Sequence, residues 1–367
     1  MDAGVVDAAR DAIARRRLPG LLVAVRHEDG DELWHQGVDA AGQPLGGGSL
    51  FPVASLTKLA TALSVLRLVD VGGLGLEDPL SRHLPEAGAA QPGVTVRRLL
   101  AHTAGLGHDL ETALAPNRPG LDWPRLRAAC LAARAAAPPG QRVVYSNVGY
   151  GLLAAVVERL SGRPFPAALG ELVLEPLGVE AYLGAAELPR PAAVVALHAP
   201  EPPGTERYNS AYWRSLALPW AGLVTDADGA LTLVRAYRSG FLSRATGAAA
   251  VADQSEGLSG GLVGTLEWTP CPWGLGPELR GRKGPRHWAP TGASPGSWGH
   301  AGDSGCVAWH DPAADLSWFV AGARTAQNGW LLDAGPRVGA ALLAAYGRAA
   351  PDEQDSKHPI DISNQSV

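Results

Sequence analysis

Cysteine is scarce: Cys130, Cys271 and Cys306 are the only three in 367 residues. They are widely spaced, odd in number and without a Cys-x-x-Cys pair. A disulfide framework or a zinc site is therefore not expected, and a reducing compartment, the cytoplasm by default, fits best. Long apolar runs are missing too. Ala128–Ala137 comes nearest in tone, but it carries Arg134 and ends at Pro138-Pro139, short of the ~20 residues a membrane-spanning helix needs. Residues 1–14 include Asp2, Asp7, Arg10 and Asp11 and lack the apolar core of an export signal. Charge is sparse and balanced, with 18% charged residues and a formal net charge of -5. The densest basic cluster, Arg15-Arg16-Arg17, reads as the solvated end of a helix. Nucleic acid and anionic membrane are accordingly not expected partners.

What is present is a globular, loop-rich composition: 46% hydrophobic residues, 46 Gly and 30 Pro. The length supports a large core, as one big domain or two interleaved ones. Residues 1–17 read as a helix. Leu21–His27 and Glu32–Gly37 read as strands joined at Asp29-Gly30, a strong hairpin signal. Leu56, Leu59, Leu63 and Leu66 recur at helical spacing until Gly72-Gly73. Helical patterns then alternate with Pro/Gly loops to about Ser215, clearest at Val96–His102, Tyr150–Leu160 and Ala167–Leu174. Beyond Trp220 come a helix near Asp226–Tyr237, strands at Val307–Trp309 and Leu316–Ala321, and a closing helix near Leu331–Tyr346. The expected fold is α/β of the α+β type. An antiparallel sheet from about 1–54 and 216–350 is flanked by helices, a mostly helical subdomain spans about 55–215, and a cleft lies where they meet. Residues 1–350 form a single domain in this reading. The polar stretch 351–367 reads as a disordered tail.

Chemistry enters at Ser55-Leu56-Thr57-Lys58. Positions i and i+3 share a helix face, so the hydroxyl and the amine would stand one above the other at a helix N-terminus. A serine needs a base within hydrogen-bond reach, and a lysine one turn away can be that base or lower the pKa of another. The helix dipole at that end favours a developing anion. Tyr145-Ser146-Asn147 offers a phenol whose pKa a protonated lysine would pull down from about 10, making it a general base and later an acid. Asn147 could orient Lys58 and hydrogen-bond an acyl group. In Trp298-Gly299-His300-Ala301-Gly302-Asp303, small residues let a strand approach a ligand closely. Amides of Ser55 and of the strand at Asp303 could form an oxyanion hole, with His300 touching substrate or assisting proton movement.

The ordered set Ser-x-x-Lys, Tyr-x-Asn and His-x-Gly resembles the penicillin-recognising serine hydrolases, in particular the class C β-lactamase and esterase branch. The spacings suit it (145 − 55 = 90 positions, then 300 − 145 = 155). So do Leu99-Leu100-Ala101-His102-Thr103-Ala104-Gly105-Leu106, Glu175-Pro176-Leu177-Gly178, Ala221-Gly222-Leu223-Val224-Thr225 and Trp273-Gly274-Leu275-Gly276. The likeness covers roughly residues 15–345. It implies a β-lactamase/transpeptidase-like fold, Ser55 as the acylated nucleophile, Lys58 and Tyr145 as the base pair activating it, and Asn147, His300, Gly302 and Asp303 on the substrate side. It implies a loop role for His102, and neither cofactor nor metal. Where β-lactamases of this branch usually carry Lys-Thr-Gly, this chain has His300-Ala301-Gly302. The lysine and threonine that help hold a substrate carboxylate are absent, which shifts the expectation to an esterase, amidase or transacylase.

The expected partners are a small-molecule acyl donor, as ester, thioester or amide, and in a transacylase an acyl acceptor. The oligomeric state is unassigned. A β-lactamase or D-specific peptidase is the alternative, and a catalytically silent ligand-binding homologue a second. Gly257-Leu258-Ser259-Gly260-Gly261 fits a nucleophile elbow, but the polar run Ala252–Glu256 is no buried strand. Gly302-Asp303-Ser304-Gly305 echoes trypsin-like proteases without their all-β pattern. His102 and His108 lack a third ligand at metal spacing. Trp123, Tyr212, Trp213, Trp268, Trp288 and Trp298 are candidates for an apolar acyl or aryl pocket.

Overall fold

The computed structural model describes residues 1–110, 120–185, 187–190, 194–199 and 207–348. The expected tail, 351–367, lies outside them. The chain opens with helix α1 (Ala3–Arg16), capped by the Asp2 carboxylate, which accepts from the Gly4 and Val5 amides. Strands β1 (Gly20–His27) and β2 (Gly30–Gly37) form the expected hairpin. Its turn falls one residue earlier than the Asp-Gly signal suggests: Gly30 already pairs with His27, so Glu28-Asp29 makes the corner.

Helix α2 (Thr57–Asp70) follows, then α3 (Trp123–Ala132), α4 (Asn147–Ser161) and α5 (Ala227–Arg235). The closing half supplies β3 (Glu278–Leu279), β4 (Trp298–Gly302), β5 (Cys306–Asp311) and β6 (Leu316–Gly322), and ends on α6 (Trp330–Tyr346). The main sheet is antiparallel, ordered β2-β1-β6-β5-β4-β3.

Both faces of this sheet are covered, which explains why Leu21–Val25 reads as a continuous apolar run rather than an alternating one. Leu21, Val23 and Val25 join Trp309, Trp318 and Val320 under α1 and α6. Leu22 and Ala24, with Phe319 and Ala321, face the larger core built by α2, α4 and α5. Alternate residues of one strand thus feed two cores. The edge strand β2 is largely exposed and carries Asp31 and Glu32, which suits an unpaired edge.

The middle of the chain is mostly helical, as expected, and adds short strands the pattern did not reveal. Phe51–Pro52 pairs with Val224–Thr225, and Val143–Val144 pairs with Gly260–Gly261. Two- and three-residue strands carry too few side chains to show a period. These pairings pin the site, because one directly precedes Ser55 and the other Tyr145.

Candidate active site

Ser55 does not begin the α-helix. It stands in a single 3-10 turn, Ala54–Leu56, leading into α2 at Thr57. Ala54 takes a left-handed φ of 45°, a strained conformation for a residue with a Cβ, costing on the order of 1–3 kcal/mol. The surroundings hold it: Val53 N donates to Leu223 O at 3.0 Å. The Thr57 hydroxyl donates to Ala54 O at 2.6 Å and accepts from Leu223 N at 3.0 Å.

Lys58 is fully buried. Its Nζ lies 3.3 Å from Ser55 Oγ, donates to the Trp220 carbonyl at 3.0 Å and rests 4.6 Å from the centre of the Tyr145 ring. Burial pushes its ammonium well below the ordinary lysine range, with the Asp109 charge opposing. Burial thus favours the neutral amine beside the Ser55 hydroxyl.

Tyr145 is fixed by its backbone. Val144 N and Tyr145 N donate to His102 O and Gly261 O, and Ser146 N donates to the His102 ring at 3.0 Å. Ser146 Oγ then caps α4 by accepting from Gly149 N at 3.1 Å. Burial raises the Tyr145 phenol well above its ordinary value, against a hydrogen bond from Ser55 that lowers it. The expected lowering by a protonated lysine is thus reversed. In a dry site burial favours the neutral form of both Lys58 and Tyr145.

His300, on β4, sets its Nε2 3.5 Å from the Tyr145 hydroxyl, while Nδ1 donates to the carbonyl of Ala301 at 2.7 Å. Burial and the neighbouring Lys58 bring it down to about 4. At neutral pH it is an uncharged imidazole presenting a lone pair to Tyr145. The four side chains therefore run Lys58, Ser55, Tyr145, His300.

Gly302 ends β4 against the serine turn. A Cβ there would lie 2.4 Å from Val53 O and 3.2 Å from Ala54 Cβ, the close approach expected of small residues here. Asp303 is not in the strand but in the turn after it. Its amide meets no acceptor among the described residues, and its carboxylate accepts from the Tyr208 hydroxyl at 3.3 Å.

Asn147 does not hydrogen-bond Lys58. Its amide donates to Asp109 at 2.6 Å, and its Oδ1 is buried without a partner. Asp109 went unnoticed in the sequence. Burial resists its charge, but hydrogen bonds from His108 and Asn147 carry its carboxyl below the ordinary value. His102 is buried and stacked 4.7 Å from Tyr145. No group of three metal-ligating side chains occurs among the described residues. Of the rival serines, Ser259 is exposed before a short strand, while Ser304 is buried against Cys306 Sγ at 3.5 Å.

A cavity of about 740 Å³ opens over Ser55. Trp213, Trp268 and Trp288 line it as anticipated, joined by Trp220 and Trp273. Trp123, Tyr212 and Trp298 are not among its walls: Trp123 packs against Trp220 and donates to Glu158, Tyr212 accepts from Leu121 N, and Trp298 donates to Val234 O in the core. Glu278 also lines the cavity, paired with Lys283 at 2.7 Å, and no motif announced either residue. One signal was available. Only Lys58, Lys283 and Lys357 are lysines among 31 basic residues, so a lysine inside the chain is itself unusual.

Comparison with known proteins agrees with this geometry. Esterase EstB of Burkholderia gladioli is 40% identical over 195 residues, which are 47% of this chain and 49% of the esterase. D-alanyl-D-alanine-carboxypeptidase/endopeptidase AmpH of Escherichia coli is 34% identical over 140 residues, 36% of each chain. The chain thus spans half or less of the length of these curated relatives. The solved structure of a β-lactamase from Mycobacterium bovis superposes with a TM-score of 0.66 at 30% identity, covering 93% of this chain and all of that one. The Beta-lactamase family model matches residues 5–343. With the fold, the serine turn and the family match in agreement, the chain belongs to the β-lactamase family.

Proposed function

We propose that the protein is a serine hydrolase or acyltransferase working through an acyl-enzyme on a small ester, thioester or amide. The observation that carries the reading is the contact chain Lys58–Ser55–Tyr145–His300 under an aromatic-walled cavity. In acylation Ser55 Oγ attacks the acyl carbon and its proton passes to the Lys58 amine. The Ser55 and Asp303 amides receive the oxyanion in this reading. The Tyr145 hydroxyl gives its proton to the departing oxygen, sulfur or nitrogen and is refilled from Lys58, with His300 holding the phenol in line. Water or a second substrate then attacks the acyl-enzyme, and the same groups return the proton to Ser55.

Neutral His300 supports an ester, thioester or amide over the alternative, a β-lactam or a D-peptide terminus. It provides no cation for a substrate carboxylate where other members of the branch usually place lysine. The relationship to an esterase points the same way. The test is direct. A fluorophosphonate should label Ser55, p-nitrophenyl butyrate should turn over, and Ser55→Ala should abolish both. Full activity in Ser55→Ala would remove the mechanism, and nitrocefin turnover equal to ester turnover would restore the β-lactamase reading.

A further inference from the structure

The proposed mechanism does not use the buried cluster Glu278–Lys283–His287. Glu278 begins β3, opposite Gly299 and next to His300 on the neighbouring strand. One of its carboxylate oxygens, Oε1, takes both partners: the Lys283 ammonium at 2.7 Å and His287 Nε2 at 3.1 Å. His287 Nδ1 accepts from the Ala289 amide at 3.0 Å, which fixes the proton on Nε2 and makes that nitrogen a neutral donor. The second oxygen, Oε2, has no hydrogen bond among the described residues, although Glu278 is a wall residue of the cavity above Ser55. The pair is almost wholly buried, with side chains 0% and 3% exposed.

A purely structural role explains this poorly. Buried ion pairs rarely stabilise a fold over apolar residues of the same volume, and one built for stability would engage both oxygens. Here two donors converge on one oxygen and hold the carboxylate ionised against its burial. Lys283 in turn lies over the indoles of Trp268 and Trp273, 4.7 and 5.3 Å from their centres, and both indoles line the same cavity.

The other charges of the cavity agree. His300, brought down to about 4, is an uncharged imidazole at neutral pH, and burial disfavours the charged form of Lys58. The guanidinium groups that line the cavity, Arg207 and Arg286, are at its margin, Arg207 partly exposed within 4.0 Å of Asp303 and Arg286 exposed. The carboxylates are Asp109, Glu278 and Asp303. Lys283 offsets Glu278 at Oε1, so the acceptor left among the aromatic rings is Glu278 Oε2, which suits an ammonium ion rather than a carboxylate.

Resting on the acyl-enzyme reading, we propose that this site takes acyl substrates bearing an ammonium or quaternary ammonium group, and that Glu278 is the residue that selects them. The cluster behind it keeps one carboxylate oxygen ionised and turned to the substrate. Discrimination is by charge at equal shape.

The experiment uses an isosteric pair on the whole chain: butyrylthiocholine and its neutral analogue S-(3,3-dimethylbutyl) thiobutyrate. The expected ratio of kcat/KM favours the cationic ester at least tenfold, and in Glu278→Gln it falls to within about twofold of one. A wild-type ratio near one, or a tenfold ratio undiminished in the variant, overturns the proposal. Should Glu278→Gln fail to fold, calorimetry on the wild-type protein with choline against 3,3-dimethylbutanol decides the matter. Choline should bind at least tenfold more tightly, and equal binding overturns the inference. Binding is measured without turnover, so an inactive protein that still prefers choline would fail the acyl-enzyme reading and not this one.

Discussion

Lys58 shows how much of this site is set by burial rather than by partners. Its Nζ has a serine hydroxyl, a backbone carbonyl and a phenol ring around it, and no carboxylate in hydrogen-bond contact. Desolvation therefore governs and pushes the amine well below the ordinary lysine range. For the reaction the sign is definite. In the proposed mechanism the active form is the neutral amine, so kcat/KM should fall as pH drops through the lowered Lys58 pKa. Tyr145 is shifted upward, so no loss of its proton should appear up to about pH 10, the ordinary phenol value. A bell with a basic limb near neutrality would contradict this assignment. Gly302 is the second residue where a single atom decides. Gly302→Ala places a methyl group 2.4 Å from Val53 O, which must push β4 away from the serine turn. The expected outcome is a 10²-fold or greater loss of kcat, scaled by the cost of misplacing reacting groups by about 1 Å, in a protein whose circular dichroism is unchanged. Near-normal turnover would show that the strand is free to shift.

The paired residues Ser55 and Lys58 were legible because their geometry is local: three positions along a helical run puts them together. Tyr145 and His300 were legible only through the resemblance of ordered motifs, since 155 positions separate them and nothing local forces the contact. Asp109, Glu278, Lys283 and His287 were not legible at all. They meet through loops whose paths depend on tertiary packing, and loop sequence carries no period. The boundary of α2 was misplaced for a related reason. Apolar spacing continues through Leu56, but the left-handed Ala54 bends the chain into a tighter turn first.

At the level of the elements, the loop from β3 to β4 depends on an ion pair. Arg280, also buried, donates to Pro290 O and to the Lys283 carbonyl, so the loop is folded around its own charges. Lys283→Met leaves the Glu278 carboxylate buried without its cation and should cost about 3–5 kcal/mol, read as a fall in denaturation midpoint. The pH dependence gives a sign. The Glu278 carboxyl is held below its ordinary value in the folded protein, so its contribution is present above the unfolded value of about 4.3 and is lost on acidification. In Lys283→Met that contribution is gone, so the stability gap between the two proteins should narrow below about pH 4. A gap constant from pH 7 to pH 3 would mean that the pair adds nothing. A three-residue strand and a two-residue strand complete this region, too short for any alternation to reveal.

For the molecule as a whole, one sheet divides two cores, and the cavity opens where the helical half meets the strand half, at Ser55 on one side and β4 on the other. The α+β architecture was readable because long helices and the hairpin carry strong periods. The cavity walls were only half readable: three of six aromatic candidates face it. The choice between lining a cleft and filling a core depends on which side of a fold a residue falls, which indole chemistry alone does not encode. Trp213, from the helical middle, and Trp288, from the loop before β4, stand 75 positions apart (288 − 213) and bound the same space. Replacing either by Ala should broaden acyl chain-length preference across p-nitrophenyl esters from C2 to C8, shifting the optimum by at least two carbons. Trp123→Ala should leave the optimum in place. A preference untouched in both wall variants would refute an acyl pocket bounded by these rings. No helix among the described residues is long and apolar enough to cross a membrane.

The rarity of lysine gives this chain a built-in spectroscopic window. With three lysines in 367 residues, growth on lysine enriched with carbon-13 at the ε position yields a spectrum of three side-chain signals. Two of them, Lys58 and Lys283, touch residues that line the same chamber, so ligand entry and the protonation of the proposed base can be followed in the intact protein without a single substitution.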